Sequence, residues 1–233
     1  AILACFDPVT KKTNAYATSV WVNNIFESAD GIIWALEWGG GILRVKDGKT
    51  DVITVDNGLS SNKISSLMQD REGNILLANY GTGISVYKGD KFIAYKINNG
   101  LLDNKVSSVA IDGNNNVWVG SVNGVSVINK NGTIKTYTSI NGNECRNVYA
   151  IVSDKSGDVW MSSDGRLYKH VTVSDKFVSF PVLENFIDGR QVITSLAIDK
   201  KNNVWIGTID GLLYYNTSAG QPSSYRTVDG LLG

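Results

Sequence analysis

The stretch Val106-Ser-Ser-Val-Ala-Ile-Asp112, followed after a short turn by Val117-Trp118-Val-Gly120, decides the fold because it recurs along the whole chain. Each copy joins a short apolar run, a polar turn and a strand that carries a large apolar anchor. The anchors are Trp34, Leu76, Trp118, Trp160 and Trp205, in steps of 42, 42, 42 and 45 residues. A period near forty built of short strands is typical of a β-propeller with one four-stranded blade per repeat.

Each repeat can be divided into four strands, which we name A to D from the propeller axis outward. In the second copy the pattern predicts strands over 64–69, 75–79, 84–88 and 91–95. Runs rich in Val, Ile and Tyr between Gly, Asn and Asp clusters are typical of strands joined by tight hairpin turns. Since no window has a helical period, we expect almost no helix.

The register predicts an all-β chain, a β-propeller with five complete four-stranded blades and an N-terminal half-blade. The half-blade arises because residues 2–6 and 12–18 match strands C and D only. An unpaired half-blade exposes a strand edge, so we expect a fragment of a longer propeller. The predicted segments are 1–20 for the half-blade and 21–61, 62–103, 104–145, 146–190 and 191–233 for blades 1 to 5.

The large anchor of strand B is predicted to fill the interface between neighbouring blades, where burial of an aromatic ring dominates the packing energy. This interpretation applies to Trp34, Trp118, Trp160 and Trp205. Leu76 in blade 2 is smaller, so we expect a looser interface there. The third residue of strand A is small or polar in every copy, as strands crowding an axis require: Asn24, Ser66, Ser108, Ala150 and Ser195.

Charge and cysteine usage exclude several classes of protein. Lys plus Arg and Asp plus Glu are both 22, which gives no basic surface for nucleic acid or for a membrane. No apolar run is long enough for a membrane helix. Cys5 and Cys145 are predicted to lie several blades apart and so to remain unpaired. An alternative for Cys5 is a lipidation site, because Ile2-Leu3-Ala4 before it is similar to a bacterial lipobox.

Catalysis and metal binding have weak support. The single histidine, His170, is predicted at the exposed end of a strand C, and no catalytic Ser/His/Asp or Cys/His set can be assembled around it. We therefore expect no catalytic residue and no cofactor. The turns Asp70–Asn74 and Asp154–Asp158 space oxygen ligands somewhat like a calcium loop, but they lack its closing Glu. Local turn hydrogen bonding is the interpretation that we favour, with calcium as the alternative.

Residues 58–87 resemble the two-component regulator propeller repeat. They carry Leu59-Ser-Ser-Asn62, an apolar strand, Asp70-Arg-Glu-Gly-Asn74 and a following Gly-aromatic segment. The copies at 101–128 and 193–215 are similar, with Val117-Trp-Val-Gly120 and Val204-Trp-Ile-Gly-Thr208 in place of the usual Leu-Trp-Ile-Gly-Thr. Departures are local: Ser28 replaces the turn Asp in blade 1, and blade 4 has Met161-Ser-Ser163 and a short Asp164-Gly165 turn.

The resemblance implies a seven-bladed propeller from the periplasmic sensor half of a hybrid two-component regulator. It implies a non-catalytic module that detects an oligosaccharide and relays the signal to a kinase outside this chain. A scaffold for protein–protein contact or dimerisation is the alternative, and a propeller lyase is a weaker one. We also expect self-association through open blade faces, and no contact with nucleic acid or directly with a membrane.

Any ligand site is expected on the face that carries the D-to-A crossovers and the B-to-C turns, since long loops provide specificity. We name this the upper face. Its candidates are aromatic residues suited to stacking on a sugar and cationic residues at the entry to strand A: Trp21, Trp38, Tyr80, Lys63, Lys105, Arg146 and Arg190. Four positive groups around one axis would favour an acidic ligand, unless Asp103, Glu144 and Glu184 neutralise them.

Overall fold

The structure, a computed structural model, describes residues 2–88, 91–183, 192–226 and 230. It contains five four-stranded antiparallel sheets and an N-terminal two-stranded sheet, each with its strands in sequence order. This confirms the predicted all-β propeller with five blades and a half-blade. Hydrophobic clusters lie between successive blades, so the core is divided among the blade interfaces.

The half-blade comprises β1 (Ile2–Phe6) and β2 (Thr13–Ala17). Blade 1 comprises β3 (Val22–Glu27), β4 (Ile33–Glu37), β5 (Gly41–Lys46) and β6 (Lys49–Ile53). Blade 2 comprises β7 (Ile64–Gln69), β8 (Ile75–Asn79), β9 (Gly83–Lys88) and β10 (Lys91–Tyr95). Only the start of β9 differs, by one residue, from the strands that the sequence predicts for this blade.

Blade 3 comprises β11 (Val106–Ile111), β12 (Val117–Ser121), β13 (Gly124–Ile128) and β14 (Ile134–Tyr137). A two-stranded hairpin of β15 (Ser139–Ile140) and β16 (Asn143–Glu144) follows it. Blade 4 comprises β17 (Ile151–Ser153), β18 (Val159–Ser163), β19 (Arg166–Val171) and β20 (Lys176–Ser179). Blade 5 comprises β21 (Ile193–Ile198), β22 (Val204–Thr208), β23 (Gly211–Asn216) and β24 (Gln221–Tyr225).

Helix is confined to three-residue 3-10 turns at Val55–Asn57, Ile97–Asn99 and Pro181–Leu183 in the described chain. The β15–β16 hairpin was not predicted. Its turn has Asn141 and Gly142, both with positive φ, a combination that favours a two-residue hairpin. The signal was therefore present in the sequence, inside a segment that the blade register had assigned to a crossover.

Strand A carries a recurrent β-bulge at its second residue in blades 1, 2, 3 and 5. The bulge turns that side chain towards the next blade. Ser65 Oγ donates to Ala78 O at 3.1 Å and to Val106 O of blade 3 at 2.9 Å. Ser107 Oγ donates to Gly120 O at 3.0 Å and to Val148 O of blade 4. These hydroxyls join the innermost strands of neighbouring blades.

The predicted interface role of tryptophan is confirmed for three of the four residues. Trp34, Trp118 and Trp160 are 2%, 1% and 2% exposed. Trp205 differs, because it is only half-buried and its described ring contacts are Tyr214 and Tyr225 of its own blade. Blade 5 is the last described blade, so no described blade packs on that side of it.

Candidate ligand-binding face

In blades 1 and 2 the upper face is built from backbone hydrogen bonds between the B-to-C turn and the residue that enters strand A of the same blade. Trp38 N donates to Trp21 O at 2.9 Å in blade 1, and Tyr80 N donates to Lys63 O at 2.9 Å in blade 2. Tyr80 also forms a β-bridge with Lys105, which enters blade 3. The turns and crossovers therefore share one face, with Tyr80 between two lysine positions.

The three aromatic candidates on this face are exposed. Trp21, Trp38 and Tyr80 are 82%, 59% and 55% accessible, so they contribute little to blade packing. Trp21 and Trp38 are joined through their backbones in blade 1, and Tyr80 occupies the corresponding turn of blade 2. Exposed aromatic rings on rigid turns provide flat apolar surfaces for a ligand.

The cationic candidates are less concentrated than the sequence suggests. Lys63 and Lys105 are exposed beside Tyr80. Arg146 in blade 4 pairs with Glu144, with Nε and Oε2 3.2 Å apart, so its charge is partly neutralised. Arg190 and Glu184 lie outside the described residues. Among the described candidates, the positive charge thus lies at Lys63 and Lys105, and Asp103 Oδ1, which accepts from Lys105 N at 2.8 Å, brings a carboxylate beside the second lysine.

Asparagines next to these cations hold the crossovers. Asn62 Oδ1 accepts from Val55 N at 2.9 Å, and Asn104 Oδ1 accepts from Ile97 N at 2.8 Å. Their carbonyls accept from Gly41 and Gly83, the first residues of strand C. At Gly83 a Cβ would overlap Tyr95 O, which explains glycine there. The asparagine of the Leu-Ser-Ser-Asn motif is therefore structural.

Tyr149 is an upper-face residue that the sequence reasoning missed. It is 42% exposed and its hydroxyl donates to Asn147 Oδ1 at 3.4 Å. It follows Val148 at the position where the other copies have Asn23, Ser65, Ser107 and Thr194. An aromatic residue among small polar ones was the signal that could have identified it.

The family model described as two-component regulator propeller matches residues 58–81, 100–123 and 189–210. Each matched segment contains strands A and B of one blade, and the segments at 58–81 and 100–123 also contain the crossover residues described above. These are two-component regulator propeller repeats. They recur in the register of the blades, and the resemblance stated from the sequence is confirmed. No curated protein matches the chain significantly.

Solved structures share the fold of this propeller. An extracellular domain of a hybrid two-component system from B. thetaiotaomicron has a TM-score of 0.72 at 20% identity, covering 91% of this chain and 28% of that one. Another such domain from B. thetaiotaomicron has a TM-score of 0.60 at 20% identity, covering 92% and 35%. Virginiamycin B lyase from Staphylococcus aureus has a TM-score of 0.76 at 16% identity, covering 97% and 77%.

His170 in the regulator propeller contradicts the prediction of a surface residue. It is 4% exposed and packs against Trp118 at 4.6 Å and Phe177 at 4.9 Å between ring centroids. Its Nε2 lies 2.9 Å from Asp175 Oδ1. The strand register places it where blades 2 and 5 have Tyr87 and Tyr215, because all three residues pair with the first residue of strand B. Its side chain therefore points into the blade interface.

The two turns considered for calcium are held by local bonds. Asp70 Oδ1 accepts from Glu72 N and Asn74 N at 2.9 and 2.8 Å. Asp154 and Asp158 each lie 2.9 Å from the ammonium of Lys169. Burial raises the pKa of Asp154, but hydrogen bonds from Lys169 and Trp160 outweigh it, so the net shift is downward. A lysine thus supplies the positive charge at the blade 4 turn.

Small cavities of about 30 and 10 Å³ lie at the B-to-C turns of blades 4 and 5, next to Gly165 and Gly211. A cavity of about 350 Å³ opens between the lower ends of strands A in blades 2, 3 and 4, lined by Met68, Arg71, Ile111 and Ser153 among others. Arg71 Nη1 donates to Gly113 O at 3.0 Å across its edge.

Cys5 and Cys145 are both unpaired, as predicted. No described helix has the length and apolarity to cross a membrane.

Proposed function

We propose that this chain is the ligand-binding propeller of an extracytoplasmic sensor in a hybrid two-component system. The ligand is an oligosaccharide that binds the upper face, and the signal passes to a kinase outside this chain. The observation that supports this is the set of exposed aromatic residues on rigid turns of regulator propeller repeats. The chain spans 28% of the extracellular domain described above, so the remaining parts of the sensor are also proposed.

Recognition starts from stacking on Trp21, Trp38 and Tyr80. Their exposure means that binding can bury apolar ring surface without disturbing the blades. Backbone hydrogen bonds to Trp21 and Lys63 hold the turns that carry Trp38 and Tyr80. A preorganised surface loses little conformational entropy on binding, which improves affinity.

Lys63 and Lys105 add a preference for acidic sugars. They flank Tyr80 through the backbone contacts described above, and both are exposed. Two positive charges beside a stacking residue attract a uronate or sulfate group, and salt screens this attraction. Arg146 contributes less because Glu144 is paired with it.

The module is proposed to be non-catalytic. Its single histidine is buried between aromatic rings. General acid or base catalysis requires a group that can reach substrate, and His170 is enclosed by Trp118 and Phe177. The likeness to virginiamycin B lyase, at 16% identity, concerns the fold alone.

Isothermal titration calorimetry against neutral and acidic oligosaccharides tests this function. Trp38→Ala and Tyr80→Ala should each weaken binding about tenfold, since stacking on an aromatic ring contributes 1 kcal/mol or more. Phe6→Ala is the matched control, because Phe6 is 60% exposed on the half-blade. Binding that is unaffected by both upper-face variants, or equally weakened by Phe6→Ala, contradicts the proposed site. Acidic sugars should also lose affinity as salt is raised.

A protein-binding scaffold is the second candidate, supported by the outer face of blade 5. Trp205 and Tyr214 are half-buried there, and Tyr225 is 41% exposed. A half-exposed aromatic cluster favours contact with another apolar surface, including a second copy of this chain. Light scattering of Trp205→Ser against the unmodified chain tests it: loss of self-association supports the scaffold, and an unmodified chain that is monomeric at all concentrations contradicts self-association.

A further inference from the structure

Three of the four interfaces between the five blades contain a buried indole from strand B. Trp34, Trp118 and Trp160 fill the interfaces 1/2, 3/4 and 4/5. Blade 2 has Leu76 at this position, so the interface 2/3 lacks the ring. Leu76 is itself 1% exposed, and its smaller side chain remains on the same strand at the same register.

The Nε1 of each indole donates a hydrogen bond, and aromatic side chains pack against the indole ring. Trp118 Nε1 donates to Asp112 Oδ2 at 3.0 Å in the A-to-B turn, and the ring stacks on Tyr137 with centroids 5.9 Å apart. Trp160 makes the same bond to Asp154 Oδ2 at 3.0 Å. The site is therefore a planar apolar slot with an acceptor at one end.

A cavity of about 180 Å³ lies at the interface 2/3. Its apolar walls are Leu76, Ile84, Val86, Ile93 and Tyr95 of blade 2 and Val117 and Ile128 of blade 3. Tyr95 pairs with the second residue of strand C in blade 2, as Tyr137 does in blade 3. Tyr95 thus stands where Tyr137 stacks on Trp118.

Among the polar groups that line the same cavity, Asp70 and Asn115 have unused acceptor capacity. Asp112 Oδ2 accepts from both Asn116 Nδ2 and Trp118 Nε1, whereas Asp70 Oδ2 accepts from Asn74 Nδ2 and Leu76 brings no second donor. Asn115 Oδ1 is buried without a hydrogen-bond partner among the described residues. A carboxylate with acceptor capacity and an unsatisfied buried carbonyl both favour a donor in the cavity.

We propose that this cavity binds a small planar aromatic molecule that carries a ring N–H, of the indole class. The ring lies between Leu76 and Tyr95 on one side and Val117 and Ile128 on the other, and its N–H donates to Asp70 Oδ2. A cavity of about 150 Å³ holds benzene, and this cleft of about 180 Å³, which is open to solvent and has both apolar and polar walls, has the volume for a ring of that size. The site is separate from the upper face and does not depend on the function proposed for that face.

The ligand enters past flexible charged side chains. Glu72 and Lys88 line the cavity and form an ion pair with a 3.4 Å separation, and their side chains are 61% and 57% exposed. Exposed ion pairs of this kind are weak and open readily. Asn129 and Lys130 of blade 3 form the opposite edge.

Titration of the 233-residue chain with indole, followed by NMR of the methyl groups, tests the site. Saturable shifts are expected at Leu76, Val117 and Ile128. Indole should bind about fivefold more tightly than indene or 1-methylindole, which lack the N–H donor. Absence of saturable shifts at these methyls overturns the site, and equal binding of indene overturns the role of Asp70.

Two variants connect the binding to the cavity. Leu76→Trp should abolish indole binding because the side chain occupies the slot. Asp70→Asn should retain indene binding and remove the preference for indole, which keeps the test decisive if Leu76→Trp fails to fold. Tyr80→Ala on the upper face is the control and should leave indole binding unchanged. Indole binding that persists at full strength in a folded Leu76→Trp protein overturns the proposal.

Discussion

The indole nitrogen of Trp118 donates to Asp112 Oδ2 across 3.0 Å and six residues of chain, and so ties the A-to-B turn to the blade interface. The same carboxylate accepts from Asn114 N and Asn116 N at 2.9 Å through its other oxygen. Trp160 repeats the arrangement with Asp154, and Trp34 uses Ser28 Oγ at 3.0 Å. The serine in blade 1 thus supplies the acceptor that the missing turn aspartate would provide.

Asp112→Asn should lower the free energy of unfolding by about 2 kcal/mol, because hydrogen bonds to a buried charged acceptor are among the stronger ones. Urea unfolding followed by tryptophan fluorescence measures it. Asp199→Asn in blade 5 is the control, since its described partners are turn groups and not an indole. If Asp112→Asn lowers the free energy of unfolding no more than Asp199→Asn does, the hydrogen bond from the indole does not contribute to stability.

Leu76→Trp should stabilise the chain by about 1 kcal/mol, because filling a cavity restores apolar contacts. The new indole also gains Asp70 as acceptor, as Trp118 has Asp112. Thermal unfolding by calorimetry checks the result, with Leu76→Ala as the opposite change, which should cost about 3 kcal/mol. A destabilised Leu76→Trp protein would mean that the slot cannot accept the ring without strain.

Lys169→Met should cost about 2 kcal/mol at pH 7, because Asp154 and Asp158 lose a partly buried cation. Burial lowers the pKa of Lys169, but the hydrogen bonds that its ammonium donates to Asp158 and Asp154 outweigh this effect, so the net shift of the pKa is upward. The contribution of Lys169 to the free energy of unfolding is complete below the pKa of lysine in the unfolded chain. It disappears as the pH rises through the pKa of Lys169 in the folded protein.

The stability that Asp154 contributes to the same ion pair depends on pH in the opposite direction. Because the folded pKa of Asp154 is lowered, its contribution is present above the unfolded pKa of 3.8 and disappears as the pH falls through the folded value. The difference between Lys169→Met and the unmodified chain should therefore shrink below pH 4. Lys88→Met, whose ion pair is exposed, should change stability by about 0.5 kcal/mol or less. A pH-independent difference for Lys169→Met would contradict this linkage.

His170→Phe should preserve stability to within about 1 kcal/mol, whereas His170→Ala should cost about 3 kcal/mol through loss of packing. The aromatic ring fits between Trp118 and Phe177, and Asp175, with its side chain 63% exposed, can be hydrated when the imidazole is absent. Chemical unfolding of both variants measures the difference. If both variants lose the same free energy of unfolding, the hydrogen bond to Asp175, and not the packing of the ring, is what His170 contributes to stability.

Ser107→Ala should cost about 1 kcal/mol, because its hydroxyl joins strand A of blade 3 to that of blade 4. Amide hydrogen exchange should also increase at Val148 to Ser153 before the rest of the blade. Ser174→Ala is the control, since Ser174 bonds only within an exposed turn. Uniformly faster exchange across all blades would argue against a local clamp.

The amino-acid sequence was sufficient to predict the blade repeat, its four strands and the burial of Trp34, Trp118 and Trp160. These follow from local periodicity and from the size of the side chains, which one repeat reveals by comparison with the next. The family of the repeats could also be recognised, because the crossover motif and the Trp strand are long and repeated.

The contacts between neighbouring blades became visible in the three-dimensional structure and could not be read from the sequence. The surface prediction for His170 failed because strand position does not show which blade covers a side chain. The hydrogen bond of Ser107 to blade 4 requires the β-bulge of strand A and the carbonyl of Val148, which is 41 residues away in the chain. Such contacts join residues that are distant in the chain, so local sequence patterns cannot specify them.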